Sequence, residues 1–139
     1  MDQVALVEGG AEGLKRIAET FRSKGIPVSA VYLIKLTSED GFEDRIIRLV
    51  ADRRTIDLNL KRKMIYELVR LRRDNELPWI DPSVRFDIIS SMDPEASRII
   101  DYARRLGGPP VVIREATWQG FFIEYALVAS VPHPNVAIV

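Results

Sequence analysis

Residues 28–51 read VSAVYLIKLTSEDGFEDRIIRLVA, and the folding of this stretch decides the architecture. Val28 to Leu36 is rich in Val, Tyr and Ile and predicts a strand. Ser38-Glu39-Asp40-Gly41 then has the composition of a turn. Arg45 to Ala51, RIIRLVA, is ambiguous. As a helix it would gather Phe42, Ile46, Leu49 and Val50 on one face; as a strand it completes a hairpin with the first. The strand is preferred, because a short turn joins it to an unmistakable strand. Ile56, Leu58 and Leu60 alternate with Asp57 and Asn59, which suits either a short third strand or the entry to a helix.

Towards the N-terminus, Gly10 to Lys24 places Leu14, Ile17, Ala18 and Phe21 at helical spacing, with Gly25 and Pro27 closing the helix. On the other side, Lys61 to Arg73 repeats the pattern, with Met64, Ile65, Leu68 and Leu71 expected to face inward. Asn75 to Pro82 (NELPWIDP) predicts a loop. Val84 to Ser90 (VRFDIIS) predicts a strand whose alternation sets Asp87 against the face of Phe86 and Ile88. Asp87 then either lies on the wet side or needs a partner, Arg85 or a helix arginine. Asp93 is suited to cap a helix starting at Pro94. Ile99, Ile100, Ala103 and Leu106 supply its apolar side, and Gly107-Gly108-Pro109-Pro110 ends it. Val111–Ala116 and Phe121–Val131 form a last hairpin around Thr117-Trp118-Gln119-Gly120. The last strand is apolar on both faces, so it is either central in the sheet or packed on another subunit.

The expected order is α-ββ(β)-α-β-α-ββ. This is an α+β fold, a mixed or antiparallel sheet of five to six strands packed with about three helices. Residues 1–139 read as a single globular domain. Arg16–Pro27 (RIAETFRSKGIP) and Arg98–Pro109 (RIIDYARRLGGP) align without gaps, and shared helix-stop chemistry explains the likeness more simply than a duplication.

Composition then removes function classes. The chain has no cysteine and one histidine, His133, set between two prolines. Disulfide scaffolds, cysteine zinc sites and thiol catalysis are excluded, and catalytic triads and multi-histidine metal sites have no material. No nucleophile-elbow, phosphate-loop or dinucleotide-binding motif is present. We therefore expect no catalytic residues, no metal and no cofactor. The acidic start, Met1-Asp2-Gln3, lacks the pattern of a signal peptide, and no apolar run is long enough to span a membrane. A cytoplasmic setting without membrane contact is the expectation.

The twenty acidic and twenty basic residues are unevenly spread. Residues 45–73 hold ten basic and three acidic side chains, a local charge of +7 balanced by −7 elsewhere. Arg70, Arg72 and Arg73 favour a helix C-terminus through the macrodipole. Arg53, Arg54, Lys61, Arg62 and Lys63 run against it at the helix start, and are candidates for contact with a phosphate, an acidic protein or a nucleic acid. Glu39, Asp40, Glu43 and Asp44 crowd the first turn without the ligand spacing of a calcium loop. Trp79 in its proline-bounded loop, and Trp118, Phe121 and Phe122 around the last turn, are candidates for an interface or pocket. Their alternative role is to cap the core. Val136 to Val139 close the chain with four apolar residues, which suits docking on their own core or on a second subunit.

The order helix, three strands, helix, strand over about residues 10–91 resembles the core of restriction-endonuclease-like nucleases. That family's metal site takes an acidic residue on one strand and Glu-x-Lys on the next. Asp57-Leu58-Asn59-Leu60-Lys61 stands at the corresponding stretch and contains no Glu-x-Lys. The expected function is accordingly a non-enzymatic interaction module that self-associates as a dimer. A nucleic-acid-associated or degenerate nuclease-like domain using residues 45–73 is the alternative.

Overall fold

The molecule is described here by a computed structural model covering residues 6–118 and 121–130. The ambiguous RIIRLVA is a strand. It lies in β2 (Glu43–Ala51), antiparallel to β1 (Val28–Thr37), with Tyr32 opposite Arg48 and Leu33 opposite Ile47. The third strand suggested by the Ile56–Leu60 alternation does not form. Asp57 instead caps α2 (Leu58–Arg73), its carboxylate accepting the Leu60 N–H at 2.7 Å. Among the described residues only two strands therefore precede this helix, which departs from the three-strand order of the nuclease-like core.

The helix carries the chain back so that β3 (Arg85–Ser90) runs parallel to β2, setting Asp87 opposite Arg48. α3 (Pro94–Arg105) then crosses the sheet to β4 (Val111–Trp118) and β5 (Phe121–Ser130). Thr117 and Trp118, expected in the last turn, belong to β4. The sheet has five strands in the order β3-β2-β1-β5-β4. The doubly apolar strand β5 is central, pairing with both β1 and β4.

Strand alternation builds two cores. One face carries Val31, Leu33, Ile47, Leu49, Tyr125 and Leu127 beneath α1 (Ala11–Ser23) and α2, which contribute Leu14, Ile17, Phe21, Met64 and Leu71. The other carries Ala30, Ile34, Ile46, Val50, Ala126 and Val128 beneath Ala96, Ile99, Ile100 and Ala103 of α3. Leu106, expected on the apolar side of that helix, is exposed at its C-cap.

The three helices stop in the same way. Gly25 and Gly107 sit past the ends of α1 and α3 at positive φ, and Asn75 does so past α2. In each case the next N–H bonds back across the last turn: Ile26 to Phe21 O, Glu76 to Leu71 O and Gly108 to Ala103 O, at 2.9–3.1 Å. The likeness of residues 16–27 to 98–109 coincides with this shared cap.

Tyr125 is buried, and its hydroxyl has no hydrogen-bond partner among the described residues. Burial pushes its pKa up to about 12. The neutral phenol is thus favoured by the fold. The corresponding stability is intact below the unfolded value of about 10 and is lost as pH rises from there through 12. Tyr125→Phe removes a polar atom that the core leaves unsatisfied. It is expected to raise stability at pH 7 by about 1 kcal/mol and to flatten the alkaline decline, as read by denaturant unfolding at pH 7 and at about pH 11. Equal or lower stability of the variant at pH 7 would contradict this.

Candidate interaction surfaces

The inner end of α3 meets the sheet through a charged brace. Tyr32, Arg48 and Asp87 form one cross-strand row over β1, β2 and β3. Asp93 caps α3 by accepting the Glu95 N–H at 2.9 Å, which fixes Glu95 in the first turn above that row. Tyr32 donates to Glu95 Oε1 at 2.6 Å; Arg48 donates from Nε to Oε1 at 2.9 Å and from Nη2 to Oε2 at 3.1 Å. Its Nη1 donates to Asp87. Burial alone would lower the Arg48 pKa, but the hydrogen bonds and charge of Glu95 outweigh it and hold the guanidinium charged. Burial, then the charge of Glu95, raises the Tyr32 phenol. Both oxygens of Glu95 are engaged, so the cluster ties the helix to the sheet. Asp87 keeps 38% of its side chain exposed, and its partner is the neighbouring-strand Arg48. Arg85 pairs with Asp44 instead, at 2.8 Å.

Beside this brace a cleft of about 610 Å³ runs between α3 and the edge strand β4, with Ile99, Ile113 and Ile123 among its lining. Asp101 and Arg105 pair along it at 3.2 Å, and Glu115 in its wall takes φ 52°. None of the site candidates named from the sequence lines it.

Those residues lie elsewhere. Arg53 and Arg54 occupy the loop after β2, where the Ser90 hydroxyl lies 2.5 and 2.8 Å from their carbonyl oxygens and joins this loop to the end of β3. Both side chains point to solvent, and so do those of Lys61, Arg62 and Lys63 in the first half of α2. Trp79 is exposed in the loop before β3, with its backbone held to Glu8 at 2.8 Å. Phe122 is exposed on β5. The side chains of Trp118 and Phe121 lie outside the described residues, as do His133 and Val136 to Val139.

What the structure adds is the outward face of α2. Ile65, expected to face the core with Met64, is exposed. With Leu58 (60% exposed), Tyr66 (69%) and Val69 (59%) it forms an apolar stripe on the solvent side. Leu58, Arg62, Ile65 and Val69 follow a spacing of four, three and four, which aligns them along one face of the helix. The two ends of the basic segment differ sharply. Arg70 bonds Glu67 at 2.7 Å and lies near Asp74 and Glu76, Arg73 pairs with Asp74, and Arg72 sits 5.6 Å from the centroid of the Phe86 ring. The Arg70 hydrogen bond lowers the Glu67 pKa. Lys61, Arg62 and Lys63 form no ion pair among the described residues. The helix thus has Arg70 and Arg73 ion-paired at its C-terminal end, whereas near its start the acidic group is the Asp57 cap, committed to the Leu60 N–H.

Among the described residues, no group of three or more His, Cys, Asp or Glu side chains is arranged to hold a metal ion, and no helix is long and apolar enough to cross a membrane. Comparison with known proteins finds no matching family model, no significantly similar curated protein and no significantly similar solved structure.

Proposed function

We propose that this protein is a non-catalytic interaction module that self-associates, with the outward face of α2 as its principal contact surface. One observation carries the reading: a helix bearing four exposed apolar side chains beside three cations without ion-pair partners. Exposed apolar residues in a continuous stripe favour burial by a partner, and cations framing such a stripe select a partner with acidic groups. A phosphate backbone would satisfy the cations but would gain little from Leu58, Ile65 and Val69, so the composition of the face favours protein over nucleic acid. The chain supplies its own acidic partner, because residues outside 45–73 carry a net charge of −7. A cysteine-free composition fits a cytoplasmic setting.

Sedimentation velocity across a concentration series tests the reading. We expect reversible conversion from the 15.8 kDa monomer to a species of twice that mass, weakened by added salt because exposed charges are screened. A monomer at every concentration up to millimolar would overturn it.

A further inference from the structure

We propose that the outward face of α2 receives the acidic β1–β2 turn of a second copy of this chain, with Phe42 as the anchoring side chain. This rests on the self-association reading above and names its two contacting parts. Phe42 is 82% exposed at the tip of the turn. The turn is held in shape by Ser38: its N–H donates to Phe42 O at 2.9 Å, its carbonyl accepts from Gly41 at 2.9 Å, and its hydroxyl accepts from the Phe42 N–H at 3.2 Å. An aromatic ring presented on a preformed turn costs little further ordering on binding.

The charges of the turn divide as those of α2 do. Asp44 is committed to Arg85, with both carboxylate oxygens accepting, and this guanidinium holds the Asp44 carboxyl below its ordinary pKa. Glu43 lies near Arg45 and Lys35, at 3.6 and 3.9 Å. Glu39 and Asp40 form no ion pair among the described residues and are exposed. Among the described residues, the molecule therefore presents an exposed ring that follows two acids without ion pairs, and an exposed apolar stripe beside three bases without ion pairs.

The two parts do not pack on each other within one chain. Phe42 is exposed at the turn, and Leu58, Ile65, Tyr66 and Val69 are exposed on α2, so neither part covers the other. Contact between two α2 helices is disfavoured, since each carries six basic side chains against one acidic one. Placing the turn of each copy on α2 of the other gives two equivalent contacts about a two-fold axis, the arrangement that closes as a dimer.

The test is a charge exchange followed by sedimentation velocity. Asp40→Lys and Arg62→Glu each set like charges against each other in both contacts, and each is expected to weaken self-association about tenfold. Mixed in equal amounts, the two variants should form a heterodimer with nearly wild-type affinity, because each contact again joins opposite charges. Phe42→Ala should weaken association about 30-fold. Undiminished association of both charge variants, or two weakened variants that fail to recover on mixing, would overturn this pairing while leaving self-association itself in place. A wild-type chain that stays monomeric would overturn both readings. So would a monomer whose α2 face takes up an oligonucleotide or an anionic vesicle, since the occupant would then be another class of partner.

Discussion

Replacing Arg48 with methionine is expected to lower folding stability by about 3–5 kcal/mol. The guanidinium sits in a row of apolar side chains between Ile46 and Val50, beneath α3. Its own burial is unfavourable, and what offsets it is the set of bonds to Glu95 and Asp87. Methionine fills much the same volume but leaves the Glu95 carboxylate, itself only 14% exposed, facing the core with the Tyr32 hydroxyl as its remaining donor. Breaking one side of such a pair costs more than removing both, because an uncompensated charge stays behind. Arg48→Met combined with Glu95→Leu should therefore destabilise by less than the sum of the two single changes, a coupling that a double-mutant cycle in urea reads directly. Additive losses would show that the brace does not act as a unit.

Gly13→Ala is the second large effect, expected to cost about 2–3 kcal/mol although alanine is the better helix former. A Cβ at this position of α1 would stand 2.0 Å from the Glu8 carbonyl oxygen and 3.1 Å from a Val7 methyl. Backbone cannot yield as a flexible side-chain tip can, so either the helix or the 6–9 segment must shift. That segment is tied to the loop before β3 through the Val7–Ile80 bridge, the Glu8 N–H to Trp79 O bond at 2.8 Å and the Asp81 N–H to Leu6 O bond at 2.8 Å. Hydrogen exchange should accordingly speed up at Glu8 and Asp81 in the variant, with the β1–β2 pairing less affected. Unchanged stability together with unchanged exchange would contradict the close approach.

The hairpin and the helices were legible because their signals are local. Enrichment in Val, Tyr and Ile marks β1, helical spacing marks α1, and Asp93-Pro94 marks the start of α3. The third strand failed for a local reason too, since Ile56–Leu60 alternates while Asp57 already caps a helix. The surface was harder to read. Periodicity in residues 58–73 supports two stripes, one through Met64, Leu68 and Leu71 and one through Leu58, Ile65 and Val69. Ile65 follows Met64 directly in the chain, so which stripe it joins depends on where the sheet lies. Phe42 gave no sign of exposure, because an aromatic next to a turn is as readily folded inward. Arg48 did leave a trace: once RIIRLVA is taken as a strand, an arginine falls on the row of Ile46 and Val50. Its partner Glu95 lies 47 residues away, a separation that no local pattern bridges.

Contact between the α2 face of one copy and the β1–β2 turn of another can be read directly by paramagnetic broadening. With no cysteine in the chain, a single Thr37→Cys substitution at the end of β1, beside the turn but outside the named contact, gives one site for a nitroxide label. Mixing unlabelled-isotope protein carrying that label with ¹⁵N-labelled wild-type chain reads intermolecular proximity alone. The expected result is selective broadening of amide signals in α2, strongest near Arg62, Ile65 and Tyr66. Broadening confined to other elements, or none under conditions where the dimer is populated, would contradict that contact.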